Sequence, residues 1–153
     1  MGYEIKSAYD RPDEVRTLFR EYHKHLGVDL CFQNYDEELA TLPGSYQMPD
    51  GRLYVIYLED KLAGCIALRR FDETRCEMKR LFVREQFRGL RLGQILAEKV
   101  IADAKTIGYK EMVLDTLSSL ESAVAMYRKM GFTEIPQYYD NPLSDVLYFK
   151  LTL

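Results

Sequence analysis

Between residues 76 and 115 the chain reads strand, corner, helix, strand, and this order limits the possible folds more than any other feature of it. Cys76 to Val83 is a strand-like run broken by charges. Gln86-Phe87-Arg88-Gly89-Leu90-Arg91-Leu92-Gly93 then opens into a stripe of Leu92, Ile95, Leu96, Val100, Ala104 and Ile107, stopped by Gly108. Apolar residues three and four apart bury one face of a helix. Met112 to Asp115 follows as a short buried strand. Such a unit closes as a right-handed crossover with its two strands parallel. The corner is chemically distinctive, because the first backbone N–H groups of a helix lack intrahelical partners and lie at the positive end of the macrodipole. A glycine-bearing turn there lets a phosphate or pyrophosphate approach closely.

The elements around this unit follow from local patterns. Tyr3 to Ala8 reads as a first strand, and Asp10 as the N-cap of a helix with Pro12 in its first turn. Val15, Leu18, Phe19, Tyr22 and Leu26 form its buried stripe, and Gly27 ends it. The segment Val28 to Gly51 is irregular apart from a short helix around Tyr35 to Leu42, stopped by Pro43-Gly44; its Phe32, Tyr35 and Tyr46 either line a pocket or pack a long loop. Leu53 to Leu58 and Leu62 to Arg70 flank Glu59-Asp60-Lys61 as a hairpin, and the strand from Cys76 makes a third antiparallel partner. Downstream, Ser118-Ser119-Leu120-Glu121 has the pattern of a capping box. The helix it opens turns Leu120, Ala123, Val124, Tyr127 and Met130 inward and closes at Gly131. Pro136 to Ser144 is a loop carrying Tyr138 and Tyr139. In the last strand Leu147, Phe149, Leu151 and Leu153 alternate with Tyr148, Lys150 and Thr152, which predicts half burial and permits edge pairing between two copies as a homodimer.

Several function classes drop out. A chain of 153 residues suits a single domain over residues 1–153, large enough to bury about two thirds of its unfolded surface without a disulfide or metal. Its net charge of −3, from 21 basic and 24 acidic residues spread along the chain, argues against nucleic acid or an anionic membrane as partner. Cys31, Cys65 and Cys76 have no metal-ligand spacing and read as small core residues in a reducing compartment. His23 and His25 are two apart, so they cannot share a helix face, and with no third histidine no metal is expected. They read as solvated surface residues. No apolar run approaches the roughly 20 residues of a membrane helix, no signal peptide is evident, and Lys6 stands where a myristoylation signal needs Ser or Thr. These features predict a soluble cytoplasmic protein. The G-x-G-x-x-G and G-K-[ST] patterns of dinucleotide and P-loop proteins are both missing at the corner.

The charged residues of the third antiparallel strand need an explanation. Glu77, Lys79 and Arg80 would be costly if buried without partners, so they either form structural ion pairs or border a cleft. Glu77, upstream of the corner on the same strand, can face a ligand bound along that strand. The acidic pair Glu37-Glu38 reads as a solvated helix face, with attraction of an ammonium group as the alternative.

Together with Ala123-Val124-Ala125-Met126-Tyr127-Arg128-Lys129-Met130-Gly131-Phe132, the corner makes the chain resemble the GCN5-related N-acetyltransferase superfamily over nearly its whole length. The family signature is Gln or Arg, two residues, Gly, one residue, then Gly or Ala. Gln86 and Gly89 meet it; Arg91 departs from it, which matters little to backbone contacts as long as Arg91 takes ordinary helical dihedrals. The resemblance implies an α+β fold, an α/β sandwich. Its mixed, mostly antiparallel sheet would have about seven strands, flanked by about four helices, with one splayed parallel strand pair. It implies an acetyl-CoA-dependent N-acetyltransferase, with acetyl-CoA as cosubstrate and a primary amine of a small molecule or protein as the acceptor that attacks the thioester directly in a ternary complex. Backbone N–H groups of Arg88, Gly89, Leu90, Arg91, Leu92 and Gly93 would hold the pyrophosphate, and Leu81, Phe82 and Val83 would pair with the pantetheine arm. Tyr127 matches the general acid at the departing thiolate, Glu77 the position of a general base, and the Leu81 N–H an oxyanion donor. Leu120 replaces an asparagine common in the family, with Ser119 or Ser122 as substitutes. A non-catalytic acyl-CoA sensor of the same fold would keep the corner and need neither Glu77 nor Tyr127.

Overall fold

The computed structural model describes residues 2–28 and 34–153. Its strands are β1 (Tyr3–Ser7), β2 (Arg52–Leu58), β3 (Lys61–Arg70), β4 (Arg75–Val83), β5 (Glu111–Leu117), β6 (Thr133–Ile135) and β7 (Val146–Thr152). Its helices are α1 (Pro12–Leu26), α2 (Tyr35–Thr41), α3 (Leu92–Ile107) and α4 (Glu121–Lys129). The strands form one sheet in the order β1-β2-β3-β4-β5-β7-β6, antiparallel throughout except between β4 and β5. This is the predicted mixed α/β sandwich, with α3 as the crossover between the parallel strands.

Alternation along β2 and β3 divides the core between two layers. Ile56, Ile66 and Leu68 join Met78, Leu96, Val100, Met112 and Phe149 on one face of the sheet. Val55, Cys65 and Ala67 join Val15, Leu18, Phe19 and Phe82 on the other. Strands covered on both faces read as continuous apolar runs, which is why β3 is so uniformly hydrophobic. Each fully buried aliphatic side chain contributes about 1.5–3 kcal/mol. Among the described residues no helix is long and apolar enough to cross a membrane.

Helix ends follow the sequence at the stops more closely than at the starts. Gly27 and Gly108 take left-handed conformations and close α1 and α3 as expected. Arg11, not Asp10, is the N-cap residue of α1, and no side chain caps it. Pro12 at the first helical position has no N–H to be satisfied there. The capping box before α4 is not formed either: Leu120 is the N-cap residue, without a side-chain bond. Ser118 instead donates its N–H to the carbonyl of Asp145, which ties this turn to the entry of β7.

The last strand differs from expectation in two respects. Tyr148 and Phe149 are both buried, because the rings of Tyr138 and Tyr139 cover Tyr148 at 5.6 and 6.0 Å. Nor is β7 the sheet edge: β6 lies outside it, pairing Thr133, Glu134 and Ile135 with Lys150, Phe149 and Tyr148. Edge pairing of copies through β7, as the alternation permitted, therefore has this three-residue strand in the way.

Two irregularities of β4 prepare the site. Its register with β5 covers only Arg75, Cys76 and Glu77 against Glu111, Met112 and Val113. Against β3 it carries a bulge, with Arg80 and Leu81 lying between the Cys65–Phe82 and Ala67–Lys79 pairs, where β3 has Ile66 alone. Arg80 takes φ +60° at this point. Beyond the bulge Gly64, paired with Val83, lets the strands close in, since a Cβ there would lie 2.4 Å from the Phe82 carbonyl oxygen. A bulge bends its strand and locally disrupts the ladder. Here it puts Lys79 and Arg80 in consecutive places on the α1–α2 side and returns Leu81 to the α3 side.

Candidate active site

The corner after β4 is built from backbone conformation. A 3-10 turn at Glu85–Phe87 leads to Arg88 in extended geometry and Gly89 at φ +81°. Arg91 is then the N-cap residue of α3 at φ +64°. The condition of ordinary helical dihedrals is not met: Arg91 sits in the left-handed region, at a cost of about 1–2 kcal/mol. Its side chain is exposed. The first helical bond runs from Ile95 N–H to Arg91 carbonyl, so the N–H groups of Leu92, Gly93 and Gln94 have no partner within the helix. No acidic residue stands in the first turn to oppose an anion. A Cβ on Gly93 would meet only Val83 Cγ2 at 3.9 Å and Met126 Sδ at 4.0 Å, so the glycine fronts the space between the end of β4 and α4. Arg88 folds back, its Nε donating to the Val83 carbonyl at 3.0 Å. Unpartnered N–H groups, a positive helix end and a bare glycine fit a pyrophosphate.

Where β4 and β5 part, a cleft of about 90 Å³ passes through the sheet. Leu120, Ala123 and Tyr127 of α4 line it from one face, Tyr22 and Leu26 of α1 from the other, with Leu81 and Asp115 at the strands. Tyr127 is buried, its ring held against Phe132 at 5.6 Å and Phe149 at 6.3 Å. Burial raises its pKa, and nearby Tyr22 and Asp115 add to the shift, so the phenol keeps its proton near neutrality. Ser119 and Ser122 are exposed and lie outside the cleft lining.

A second cavity of about 210 Å³ lies on the α1–α2 side, lined by Asn34, Glu38, Ser45, Tyr46, Arg69, Glu77, Lys79 and Tyr139. Lys79 borders both spaces. Glu77 is 1% exposed, and both its oxygens are engaged: Arg69 Nε donates at 2.7 Å to one, the Tyr138 hydroxyl at 2.5 Å to the other. Burial alone would raise its pKa, but the charges of Lys79 and Arg69 and these two hydrogen bonds prevail and lower it. Lys79 is itself lowered, by burial and by the adjacent Arg80. Arg80 forms a two-pronged pair with Glu38, at 2.9 and 3.1 Å, and its guanidinium stands 5.7 Å from the Tyr35 ring centroid. Glu38 is thus turned inward, not onto a solvated face; only Glu37 of that pair is exposed.

Asp115 completes the arrangement, and sequence reasoning placed no chemistry on it. Its carboxylate accepts a hydrogen bond from the Tyr139 hydroxyl, which in turn accepts one from Asn141 Nδ2 at 3.0 Å. Burial raises its pKa and outweighs both that bond and the charge of Lys79. The available signal was an acid ending the apolar run Met112-Val113-Leu114. Arg69, Tyr138 and Tyr139 gave no comparable sign of their partners.

The remaining candidates lie apart. His23 rests against Tyr35 with ring centroids 4.6 Å apart and is half-buried, whereas His25 is exposed as expected. Among the described residues no group of three His, Cys, Asp or Glu is placed to hold a metal. Cys65 and Cys76 are buried free thiols, and burial pushes Cys76 up to about 12. Cys31 and Phe32 lie outside the described residues.

Comparison with known proteins gives consistent matches. A family model described as the acetyltransferase (GNAT) family matches residues 13–132. An uncharacterized N-acetyltransferase of Schizosaccharomyces pombe is 42% identical over 143 residues, covering 92% of this chain and 88% of its own length. Another from Dictyostelium discoideum is 37% identical over an alignment of 215 residues that covers all of both chains. The crystal structure of the PaiA N-acetyltransferase from Thermoplasma acidophilum in complex with coenzyme A matches in fold with a TM-score of 0.77, at 18% identity and with all of both chains covered.

Proposed function

The chain belongs to the acetyltransferase (GNAT) family, and from that premise we propose that it transfers an acetyl group from acetyl-CoA to a primary amine, by direct attack while both are bound. The cleft through the sheet carries this reading. It is lined from the α4 side and from the α1 side where β4 and β5 part, and has a buried phenol on its wall. Acetyl-CoA supplies an activated acyl carbon and a sulfur leaving group; the rest falls to the chain.

Backbone N–H groups from Arg88 to Gly93 grip the pyrophosphate, and the exposed Ser119 or Ser122 takes the place of the family's asparagine contact. Leu81, Phe82 and Val83, beyond the last β4–β5 pair, offer their main chain to the pantetheine arm as a partner strand would. The N–H of Leu81 polarises the thioester carbonyl as an oxyanion donor. Tyr127, kept protonated by burial, gives its proton to the departing sulfur. An alkyl amine has a pKa of about 10, so the acceptor must lose a proton before it attacks. Glu77 occupies the position of a base, but with both oxygens engaged we assign it to holding Arg69 and Tyr138 in the acceptor wall. No cysteine is needed as a nucleophile.

Release of free thiol from acetyl-CoA across a panel of primary amines tests the reading. Tyr127→Phe should lower kcat by about 10²–10⁴-fold while coenzyme A affinity, followed by calorimetry, stays within a factor of about two. Absence of turnover with every amine would favour an acyl-CoA sensor, and full activity of Tyr127→Phe would remove the phenol from the chemistry.

A further inference from the structure

We infer that Asp115 is the proton acceptor for the incoming amine. The inference rests on the acetyl-transfer reading and assigns a step within the same site. Its basis is position. The acceptor cavity and the through-sheet cleft share Lys79, and the cavity wall residue Tyr139 places its hydroxyl on the Asp115 carboxylate. Asp115 lines the cleft itself, together with Leu81 and Tyr127. An amine moving from the cavity toward the acyl carbon passes Lys79, which borders both spaces, and then has the Asp115 carboxylate on the cleft wall beside it. Glu77 borders only the cavity, and Arg69 and Tyr138 already occupy its two oxygens.

Protons and electrons balance along this route. The ammonium gives one proton to Asp115, directly or through a water, and the freed lone pair forms the C–N bond. The C–S bond breaks, and sulfur leaves with its electron pair and takes the Tyr127 proton. One of the two protons still on nitrogen restores the phenol, and Asp115 returns its own proton to solvent. The surroundings of Asp115 agree with the role. Facing it are Glu77, Lys79 and Arg80 on β4, Tyr148 on β7, Tyr138 and Tyr139 on the loop, Tyr22 on α1 and Tyr127 on α4. Burial prevails among these influences and raises its pKa, whereas that of Glu77 is lowered. A base nearer the working pH is the more effective one.

The test is kcat measured across pH with acetyl-CoA and whichever common amino acid or polyamine turns over fastest. Asp115→Asn should lower kcat by about 10²–10⁴-fold and erase the acid limb of the profile. Its Tm should hold or rise, because Asn still accepts from Tyr139 and no longer carries a charge disfavoured by burial. Tyr139→Phe removes a bond that favours the charged form, so the acid limb should move to higher pH. Glu77→Gln removes a neighbouring negative charge, so the limb should persist and move to lower pH. A wild-type profile in Asp115→Asn, or a limb erased by Glu77→Gln, would overturn the assignment while leaving acetyl transfer intact. Failure of the wild type to turn over any amine would overturn both.

Discussion

Arg80 holds a left-handed φ in mid-strand, a conformation that costs a non-glycine residue about 1–2 kcal/mol. Its guanidinium is held from α2 by the two-pronged contact with Glu38, and neither side chain is freely solvated. Removing one partner of a buried pair is strongly destabilising, at about 3–5 kcal/mol. Glu38→Ala should therefore lower stability by about 3 kcal/mol, read from the midpoint of urea unfolding, and should weaken acceptor binding more than coenzyme binding. An unchanged midpoint would mean that the bulge keeps its shape without this contact. Nothing in the order of residues announces that dihedral. Arg91 is a second case, since its departure from the family signature was legible but its left-handed conformation was not.

Among elements, the junction of β4 with α3 concentrates the features proposed to bind coenzyme A. Gly93 lies inside the first turn of α3, where alanine is favoured over glycine by up to about 1 kcal/mol. A Cβ there would find ordinary contact distances in the free protein. Gly93→Ala should thus leave Tm unchanged or higher, yet weaken coenzyme A about tenfold, or 1.4 kcal/mol, in calorimetry. Equal losses in both would show that the glycine serves the fold instead of the ligand. Elements of this kind were readable because they rest on local rules: the apolar stripes of α1 and α3, the glycines that stop them, and the hairpin around residues 59–61 with the antiparallel strand that follows it. Helix starts were less so, since Ser118 gives its N–H to the neighbourhood of β7 and leaves the expected cap unmade.

At the scale of the molecule, the predicted seven-stranded sandwich with one parallel pair is the fold observed, but the order of its last two strands was not legible. Alternation in β7 shows which residues share a face and says nothing of which strand lies outside it. Partners distant in sequence were equally hidden: Tyr138 reaches Glu77 across 61 positions, and Tyr139 reaches Asp115 across 24. The cleft between β4 and β5 nevertheless has a consequence for ligand design. Because residues from both faces line it, a bisubstrate conjugate, with an amine joined through a short acyl bridge to the sulfur of coenzyme A, should lie across the sheet between β4 and β5. Tethering makes each half-site meet its ligand at an effective concentration of millimolar order, and avidity of about 10²–10⁴ over either half alone is expected from a well-matched linker. A conjugate binding no more tightly than coenzyme A by itself would mean that amine and thioester do not meet within the sheet.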